Sequence, residues 1–363
     1  MSVEFIGMIA TRKASEIHPA EGPIIDRDYV RRFAEAHEQA GFDRILVAHH
    51  STGPDAFLVV SYAATVTDRL GFMLAHRPGF VEPTLAARKL ATLDQFTGGR
   101  LAVHIISGGD DAEQRRDGDF LGHDERYART DEYVDILRRI WTSDRQFDHN
   151  GAYYRFQGGF SEVKPVQRPH IPIYFGGASA PAIDVAGRHA DIYALWGETH
   201  EQVREQVARV RASAARHGRQ IRFSVSFRPI LADTEEAAWA RAADILERTR
   251  ALRTAQGAGP GDPKQSEGAR RLLDAAAQGD RVDKRLWTAI ARETGARSNS
   301  TALVGTPEQV ADALLDYWDL GVTTFLIRGF DPLEDAIDYG RALIPHTREL
   351  VERRLAQRPA KAG

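Results

Sequence analysis

Ile171-Pro-Ile-Tyr-Phe-Gly-Gly-Ala-Ser-Ala-Pro181 joins a short apolar run to two glycines and the start of a helix. An apolar run of this length is typical of a buried strand, and it stops at Gly176 and Gly177. Ser179 can cap a following helix, and Pro181 suits its first turn. Glycine lets backbone N–H groups approach a ligand, and a helix N-terminus favours negative charge. The stretch therefore predicts a site for the phosphate of a nucleotide or flavin. The alternative is an ordinary turn between a strand and a helix.

The same alternation of short apolar runs and amphipathic segments continues along the 363 residues. The strand candidates are residues 4–9, 42–48, 70–75, 101–106, 171–175, 192–196, 221–231 and 324–327. The helix candidates include residues 27–40, 83–96, 126–141, 201–217 and 307–320, with Asp26 and Thr306 as N-caps. This pattern predicts an α/β fold, a (β/α)8 TIM barrel made by residues 1–363 as a single domain. A doubly wound open sheet is the alternative.

Two segments exceed a minimal barrel. Near residues 146–156, Asn150-Gly151 lies between alternating apolar residues and predicts a β-hairpin at one rim of the barrel. Residues 256–296 begin with a stretch rich in glycine and proline, which is typical of a disordered surface loop or a functional lid. We favour a mobile lid that orders on ligand binding, because Leu286-Trp287 supplies an apolar anchor within it.

Composition excludes several classes of function. The net charge of −3 and the pI of about 6.5 argue against nucleic acid or an anionic membrane as a partner. The absence of cysteine excludes disulfides, thiolate metal sites and cysteine nucleophiles. We see no signal peptide and no apolar run near the roughly 18 residues that cross a bilayer, so we expect a cytoplasmic protein.

The predicted strand ends carry cationic and aromatic side chains, and active sites of (β/α)8 barrels lie at these ends. The scarcity of carboxylates there excludes a glycosidase. His49 and His50 are adjacent on one strand and show no metal-ligand spacing, so no metal is expected and one of them is a candidate general base. Trp196 ends a strand, where it could line a ligand site or pack in the core.

The seventh predicted strand alternates, and its polar face places Arg228 nearest the carboxyl end. Its planar guanidinium suits an oxyanion such as a sulfonate or carboxylate. The alternative is a structural ion pair with an Asp or Glu. Arg297, just after the predicted lid, is a second candidate anion ligand, and the alternative there is a solvated loop charge.

Several longer motifs resemble one known family. They are Arg77-Pro-Gly-Phe-Val-Glu-Pro-Thr-Leu-Ala-Ala-Arg-Lys-Leu-Ala-Thr-Leu-Asp94, Gly98-Gly-Arg-Leu101, His123-Asp-Glu-Arg-Tyr127, Tyr174-Phe-Gly-Gly177, Trp196-Gly-Glu198, His217-Gly-Arg-Gln-Ile-Arg-Phe223 and Thr301-Ala-Leu-Val-Gly305. In this order they resemble the bacterial-luciferase-like flavin monooxygenases, most closely the alkanesulfonate monooxygenases.

The resemblance implies a barrel enzyme that uses reduced FMN (FMNH2) from a separate NAD(P)H-dependent flavin reductase, with O2 as co-substrate. It implies cleavage of a small anionic organosulfonate to an aldehyde and sulfite, within sulfur metabolism. We expect a homo-oligomer, a dimer or a tetramer. The resemblance implies that Tyr127, Gly177, Ala178 and Ser179 bind the FMN phosphate. It places Ser107 and His104 at the flavin ring, and Trp196 and Arg297 along the substrate site.

The sequence departs from the family at residues that handle charge and protons. The departing positions are Arg12 in place of His, Gly53 in place of Cys, His104 in place of Asn, Ser226 in place of Arg, Arg228 in place of His and Phe330 in place of Tyr. Arg12, Arg228 and Arg297 would keep the pocket cationic, and His49 or His50 would take over proton handling. The remaining alternatives are a non-sulfonate substrate, such as a sulfone or a carbonyl compound, and a flavin-binding protein without turnover.

Overall fold

A computed structural model describes residues 2–257, 266–296 and 300–357. Its strands are β1 (Glu4–Ile9), β2 (Arg44–Val47), β3 (Gly71–His76), β4 (Leu101–Ile105), β5 (Phe147–Asn150), β6 (Arg155–Gly159), β7 (Ile173–Gly176), β8 (Ile192–Trp196), β9 (Arg222–Phe227), β10 (Ile230–Leu231), β11 (Arg281–Val282), β12 (Leu286–Trp287), β13 (Ala302–Gly305) and β14 (Val322–Ile327).

The helices alternate with these strands. They are α1 (Arg27–Gln39), α2 (Ala56–Ala64), α3 (Pro83–Phe96), α4 (Asp111–Arg116), α5 (His123–Thr142), α6 (Ala180–His189), α7 (His200–Arg216), α8 (Glu235–Ala255), α9 (Glu267–Ala277), α10 (Ala289–Thr294), α11 (Pro307–Asp319), α12 (Pro332–Asp338) and α13 (Ile344–Ala356), with a π-helical turn at Tyr339–Leu343. None of the helices in the described part of the chain is long and apolar enough to cross a membrane.

Eight strands close into a barrel in the order β1-β14-β9-β8-β7-β4-β3-β2. Each of these strands lies at a position predicted from the sequence, which confirms the (β/α)8 barrel and excludes the doubly wound sheet. Strands β3 and β14 are buried along their whole length, as expected of parallel strands covered by helices. The N-caps are also confirmed, because Asp26 accepts the N–H of Tyr29 at 3.0 Å and Thr306 accepts that of Gln309 at 3.4 Å.

The prediction of one strand over residues 221–231 is wrong in its second half. Strand β9 ends at Phe227, and β10 pairs with β13 in a different sheet. Pro229 between them has no backbone N–H to donate, and the N–H of Arg228 bonds the carbonyl of Thr301 at 3.0 Å. The chain therefore leaves the barrel at Arg228.

The chain divides into two compact units, and the first comprises Met1–Ile45, Ala194–Ala208 and Arg222–Gly363. It contains the parallel neighbours β1, β14 and β9 and a four-stranded sheet in the order β10-β13-β12-β11. The sequence did not predict this sheet. Leu286 and Trp287 pair with β13 and are buried, which confirms their role as an apolar anchor. Residues 266–296 of the expected lid form α9, β11, β12 and α10, and a closing movement of this segment stays a prediction.

The second unit comprises Leu46–Tyr193 and Arg209–Ile221. It contains β3, β4 and β7 as parallel neighbours, together with the hairpin of β5 and β6. The hairpin predicted near residues 146–156 is confirmed, with Asn150 opposite Arg155. Glu132 on α5 fixes its turn, since this carboxylate accepts the N–H groups of Tyr153 and Tyr154 at 3.0 and 2.9 Å. That residues 1–363 form a single domain stays a prediction.

Candidate active site

The turn between β7 and α6 has the backbone geometry of an anion cradle. Gly177 has φ +129°, a conformation that side-chain-bearing residues rarely adopt. A Cβ on this residue would lie 2.8 Å from the Cβ of Ala182 and 2.9 Å from the hydroxyl of Tyr127. The Gly177 carbonyl accepts a hydrogen bond from the hydroxyl of Tyr193. Glycine is therefore required here, both for the turn and for the close approach of Tyr127.

Ser179 occupies the N-cap position of α6, as predicted, but its hydroxyl does not cap the helix. Its Oγ is buried and has no hydrogen bond of good geometry within the described part of the chain. The first turn of α6 has no acidic residue, so nothing there opposes an anion. An unpaired buried hydroxyl is costly, and an oxygen of a bound phosphate would satisfy it. This orphaned atom fits the phosphate group that the sequence predicted.

Tyr127 lies at the start of α5 and faces this turn. Burial raises the pKa of its hydroxyl, an effect that the nearby Ser179 hydroxyl opposes but does not reverse, so Tyr127 is protonated at neutral pH and can donate. Its ring packs edge-on against Phe175, with centroids 6.3 Å apart, and against His123, at 4.9 Å. His123 had no predicted role in the site, although the motif that contains Tyr127 begins with this residue.

Ser107 and His104 lie at the end of β4, next to β7. The Ser107 Oγ is 2.9 Å from the Oγ1 of Thr130, one helical turn beyond Tyr127 on α5. His104 is opposite Tyr174 of β7 in the strand register. Burial lowers the pKa of His104 to about 4, and its Nδ1 has no partner among the residues that the structure describes. The structure thus brings both residues to the same edge as the β7–α6 turn, with His104 neutral.

His49 and His50 follow β2 and lie beside a buried ion pair. The Arg77 Nη2 donates to Glu113 Oε1 at 3.1 Å, and the Nε2 of His50 is 3.8 Å from that carboxylate. Burial and, to a smaller extent, Arg77 lower the pKa of His49. Its Nε2 is buried without a partner in the described ranges, so His49 is a neutral imidazole with an unused nitrogen. That state is what a general base requires.

Glu113 was not found by the sequence analysis, because nothing in the local pattern around α4 distinguishes it from other surface carboxylates. Its contacts with Arg77 and with the N–H of Ser51 at 3.1 Å are long-range. Over residues 2–257, 266–296 and 300–357, no group of three or more histidine and acidic side chains could hold a metal ion. A proton-handling role for His49 or His50 stays a prediction.

Trp196 at the end of β8 retains 37% of its exposure, so it does not have the burial of a core residue. Helix α9 packs on its indole, since a Cβ on Gly268 would lie 2.7 Å from the Trp196 Nε1. Two residues further along the chain from Trp196, Glu198 is buried and pairs with Arg271 of α9 at 2.8 Å. The expected lid segment thus contacts the end of β8 through Gly268 and Arg271.

Arg228 is fully buried, and its guanidinium is paired within the chain. Its Nη1 lies 2.7 Å from Glu16 Oε2, its Nη2 donates to the carbonyl of Gly329 at 2.9 Å, and its Cζ is 3.5 Å from the centroid of the Phe330 ring. This is the structural ion pair that the sequence analysis left as the alternative to an anion site. Anion binding by Arg228 stays a prediction, and Arg297 lies outside the described residues.

A family model described as luciferase-like monooxygenase matches residues 3–324. The chain belongs to the luciferase-like monooxygenase family.

Solved structures agree with this family in fold. A riboflavin lyase, solved with modified FMN and the substrate riboflavin, is 20% identical, with a TM-score of 0.79 over 97% of this chain and 92% of that chain. An EDTA monooxygenase from Chelativorans sp. BNC1 is 18% identical, with a TM-score of 0.77 over 97% and 95%. A long-chain alkane monooxygenase is 19% identical, with a TM-score of 0.76 over 97% and 92%. At these identities the likeness concerns the fold alone.

Within this luciferase-like barrel, the predicted cofactor residues lie together at adjacent elements of the second unit. They are His104, Ser107, Tyr127, Gly177, Ala178 and Ser179, on β4, α5 and the β7–α6 turn. Trp196 and Arg228 belong to the first unit, where one contacts α9 and the other Glu16. The catalytic roles given to Trp196, Arg228, His49 and His50 stay predictions.

Proposed function

We propose that this luciferase-like protein is a two-component monooxygenase that uses reduced FMN, delivered by a separate NAD(P)H-dependent flavin reductase, together with O2. The observation that supports the cofactor is the β7–α6 turn, where Gly177, the buried Ser179 hydroxyl and the protonated Tyr127 meet. Bound reduced FMN would supply the electrons that activate dioxygen. A homo-oligomer, a dimer or a tetramer, and a cytoplasmic location remain part of the proposal.

Different residues of the chain would bind the FMN phosphate, lie along the flavin ring and accept a proton. Tyr127 and Ser179 would donate hydrogen bonds to the FMN phosphate, aided by the N-terminus of α6. Ser107 and the neutral His104 would lie along the ring of the cofactor, where a neutral imidazole can donate or accept without adding charge. His49, whose pKa is lowered by burial, would accept a proton at its free Nε2.

The first candidate substrate is an organosulfonate, which would be cleaved to an aldehyde and sulfite, as in an alkanesulfonate monooxygenase. The second candidate is an uncharged sulfone or carbonyl compound. One observation favours the second: Arg228, predicted to hold the sulfonate, is already paired with Glu16. The third candidate is a flavin-binding protein without turnover, which would bind FMN but form no product from either class of substrate.

The test supplies the purified protein with FMN, NADH, a flavin reductase and air, and offers a sulfonate series and a matched series of sulfones and ketones. Sulfite release from sulfonates supports the first candidate, and oxygenated products from the uncharged series support the second. FMN binding without product from either series contradicts the proposed monooxygenase. A parallel reaction that contains the reductase, FMN and NADH but lacks the purified protein controls for oxidation by free reduced FMN.

A further inference from the structure

A single carboxylate bridges two arginines at the ends of neighbouring barrel strands. Glu16 Oε2 lies 2.7 Å from the Arg228 Nη1, and Glu16 Oε1 accepts from the Arg328 Nη2 at 2.9 Å. Arg228 follows β9 and Arg328 follows β14, and these strands are parallel partners. Although burial alone would raise the pKa of Glu16, the two arginines lower it to about 2, so the carboxylate is ionised at neutral pH.

The position of Glu16 is fixed by its neighbours in the loop between β1 and α1. Ile17 is buried in a hydrophobic cluster that includes Phe330, and its carbonyl accepts from Arg248 at 3.3 Å. His18 is hydrogen-bonded to Asp331, with 2.5 Å between Nε2 and Oδ1. The loop is therefore held directly after Glu16 by contacts that do not involve its carboxylate. A change confined to that carboxylate leaves these anchors in place.

The place that Glu16 occupies has the chemistry of an anion site. Each of the two guanidinium groups contacts one oxygen of the Glu16 carboxylate. The same two groups could contact two oxygens of a sulfonate or of an external carboxylate. Anion sites of (β/α)8 barrels often follow the seventh and eighth barrel strands, which are β9 and β14 in this chain. The Glu16 side chain keeps 26% exposure, so the position is in contact with solvent.

We propose that Glu16 is a specificity-determining residue: its carboxylate fills the anion position between Arg228 and Arg328, so the enzyme takes substrates that are uncharged at this place. The inference rests on the proposed monooxygenase and assigns its substrate class, an uncharged sulfone or carbonyl compound. With Glu16 present, a sulfonate would meet a fixed negative charge at the two arginines. Without it, two guanidinium groups would have no counter-ion and would bind one from solution.

The test compares wild-type enzyme with Glu16→Gln, using methanesulfonate and dimethyl sulfone as a charged and an uncharged probe of similar shape. Calorimetric titration at constant ionic strength should give methanesulfonate a dissociation constant at least about tenfold lower for E16Q than for wild type, through restored charge-assisted hydrogen bonds. The gain should vanish in the double variant E16Q/R228M. Glu21→Gln, an exposed change in the same loop, should match wild type.

The proposal is overturned if wild type binds methanesulfonate as tightly as E16Q does, or if folded E16Q gains no anion affinity. If E16Q does not fold, wild type alone decides, since tighter binding of methanesulfonate than of dimethyl sulfone would contradict the proposal and the reverse order would support it. FMN affinity is measured on the same samples. Loss of anion discrimination with FMN binding intact therefore rejects the role of Glu16 without rejecting the proposed function.

Discussion

Ser179 shows how a single side chain can have opposite effects on folding and on binding. Its hydroxyl is buried and lacks a hydrogen bond of good geometry in the described part of the chain, so it is a cost to the folded protein that a phosphate would relieve. If the β7–α6 turn is an ordinary turn, Ser179 serves only as a neighbour of the Tyr127 hydroxyl. A substitution at this position separates the two interpretations.

We predict that Ser179→Ala leaves the free energy of unfolding unchanged or raises it by up to about 1 kcal/mol, while FMN affinity falls by about tenfold. Chemical denaturation and anaerobic titration with reduced FMN measure the two effects. Ser266 is the matched control, because this N-cap of α9 does accept the N–H of Ala269, at 3.2 Å. Ser266→Ala should cost about 1 kcal/mol of stability with FMN affinity intact. A Ser179→Ala protein that loses stability but binds FMN normally would contradict the cradle.

The ion pair of Glu16 and Arg228 predicts that the contribution of each side chain to stability depends on the presence of the other. Arg228→Met alone should lower the free energy of unfolding by about 2–3 kcal/mol, because it removes one of the two arginines that neutralise Glu16 and the donor to the Gly329 carbonyl. The double variant E16Q/R228M removes both charges and should recover part of that loss. Urea denaturation of the two single variants and the double variant measures the coupling. Additive losses would show that the two side chains do not stabilise each other.

At the scale of elements, helix α9 of the expected lid segment is held at the end of β8 by specific side-chain contacts. Arg271 pairs with Glu198 at 2.8 Å and with Glu205 at 2.9 Å, and its Nη2 also donates to the carbonyl of Gln202 at 3.0 Å. Glu198 is buried, so loss of Arg271 would leave its carboxylate without its main counter-ion. Opening of this segment should therefore depend on Arg271.

We predict that limited proteolysis cuts first within residues 256–296, that reduced FMN with substrate slows the cut, and that Arg271→Met accelerates it several-fold. Mass spectrometry of the fragments locates the cleavage. Arg270→Met is the matched control, since Arg270 is adjacent to Arg271 in the sequence, is exposed and pairs with Glu267 of the same helix. If the first cut falls outside residues 256–296, or if the Arg270 and Arg271 variants are cut at equal rates, Arg271 does not hold this segment closed.

The limits of sequence-based prediction also appear at this scale. The barrel strands were predictable because each is a continuous apolar run between helices with recognisable caps such as Asp26 and Thr306. The sheet of β10 to β13 was not, because strands of two residues carry no periodicity. Glu16 and Glu113 were missed for another reason. Their partners are distant in the chain, and nothing local marks either carboxylate as the counter-ion of a buried arginine.

At the scale of the whole molecule, buried neutral histidines contribute to the loss of stability in acid. Burial lowers the pKa of His37 to about 4 and that of His76 to about 3, from an ordinary value of 6.5. Between pH 6.5 and about 4 the unfolded chain binds protons at these sites and the native protein does not. The free energy of unfolding should therefore fall as the pH falls through this window, by up to about 1.4 kcal/mol per pH unit for each histidine.

Urea denaturation at pH 7, 6, 5 and 4.5 checks this dependence. His76→Gln, which keeps a polar side chain near the hydroxyl of Tyr133, should reduce the slope of unfolding free energy against pH. Stability that is constant from pH 7 to 4.5 would contradict the account of the buried histidines.

We propose that this luciferase-like barrel binds reduced FMN by its phosphate at the turn after β7. The most direct measurement is the pair of anaerobic dissociation constants for reduced FMN and reduced riboflavin, which lacks the phosphate. We predict that FMN binds about a hundredfold more tightly, through two charge-assisted hydrogen bonds from Tyr127 and Ser179, and that the double variant Y127F/S179A loses most of that preference. Equal affinities of the wild-type protein for the two flavins would contradict the claim.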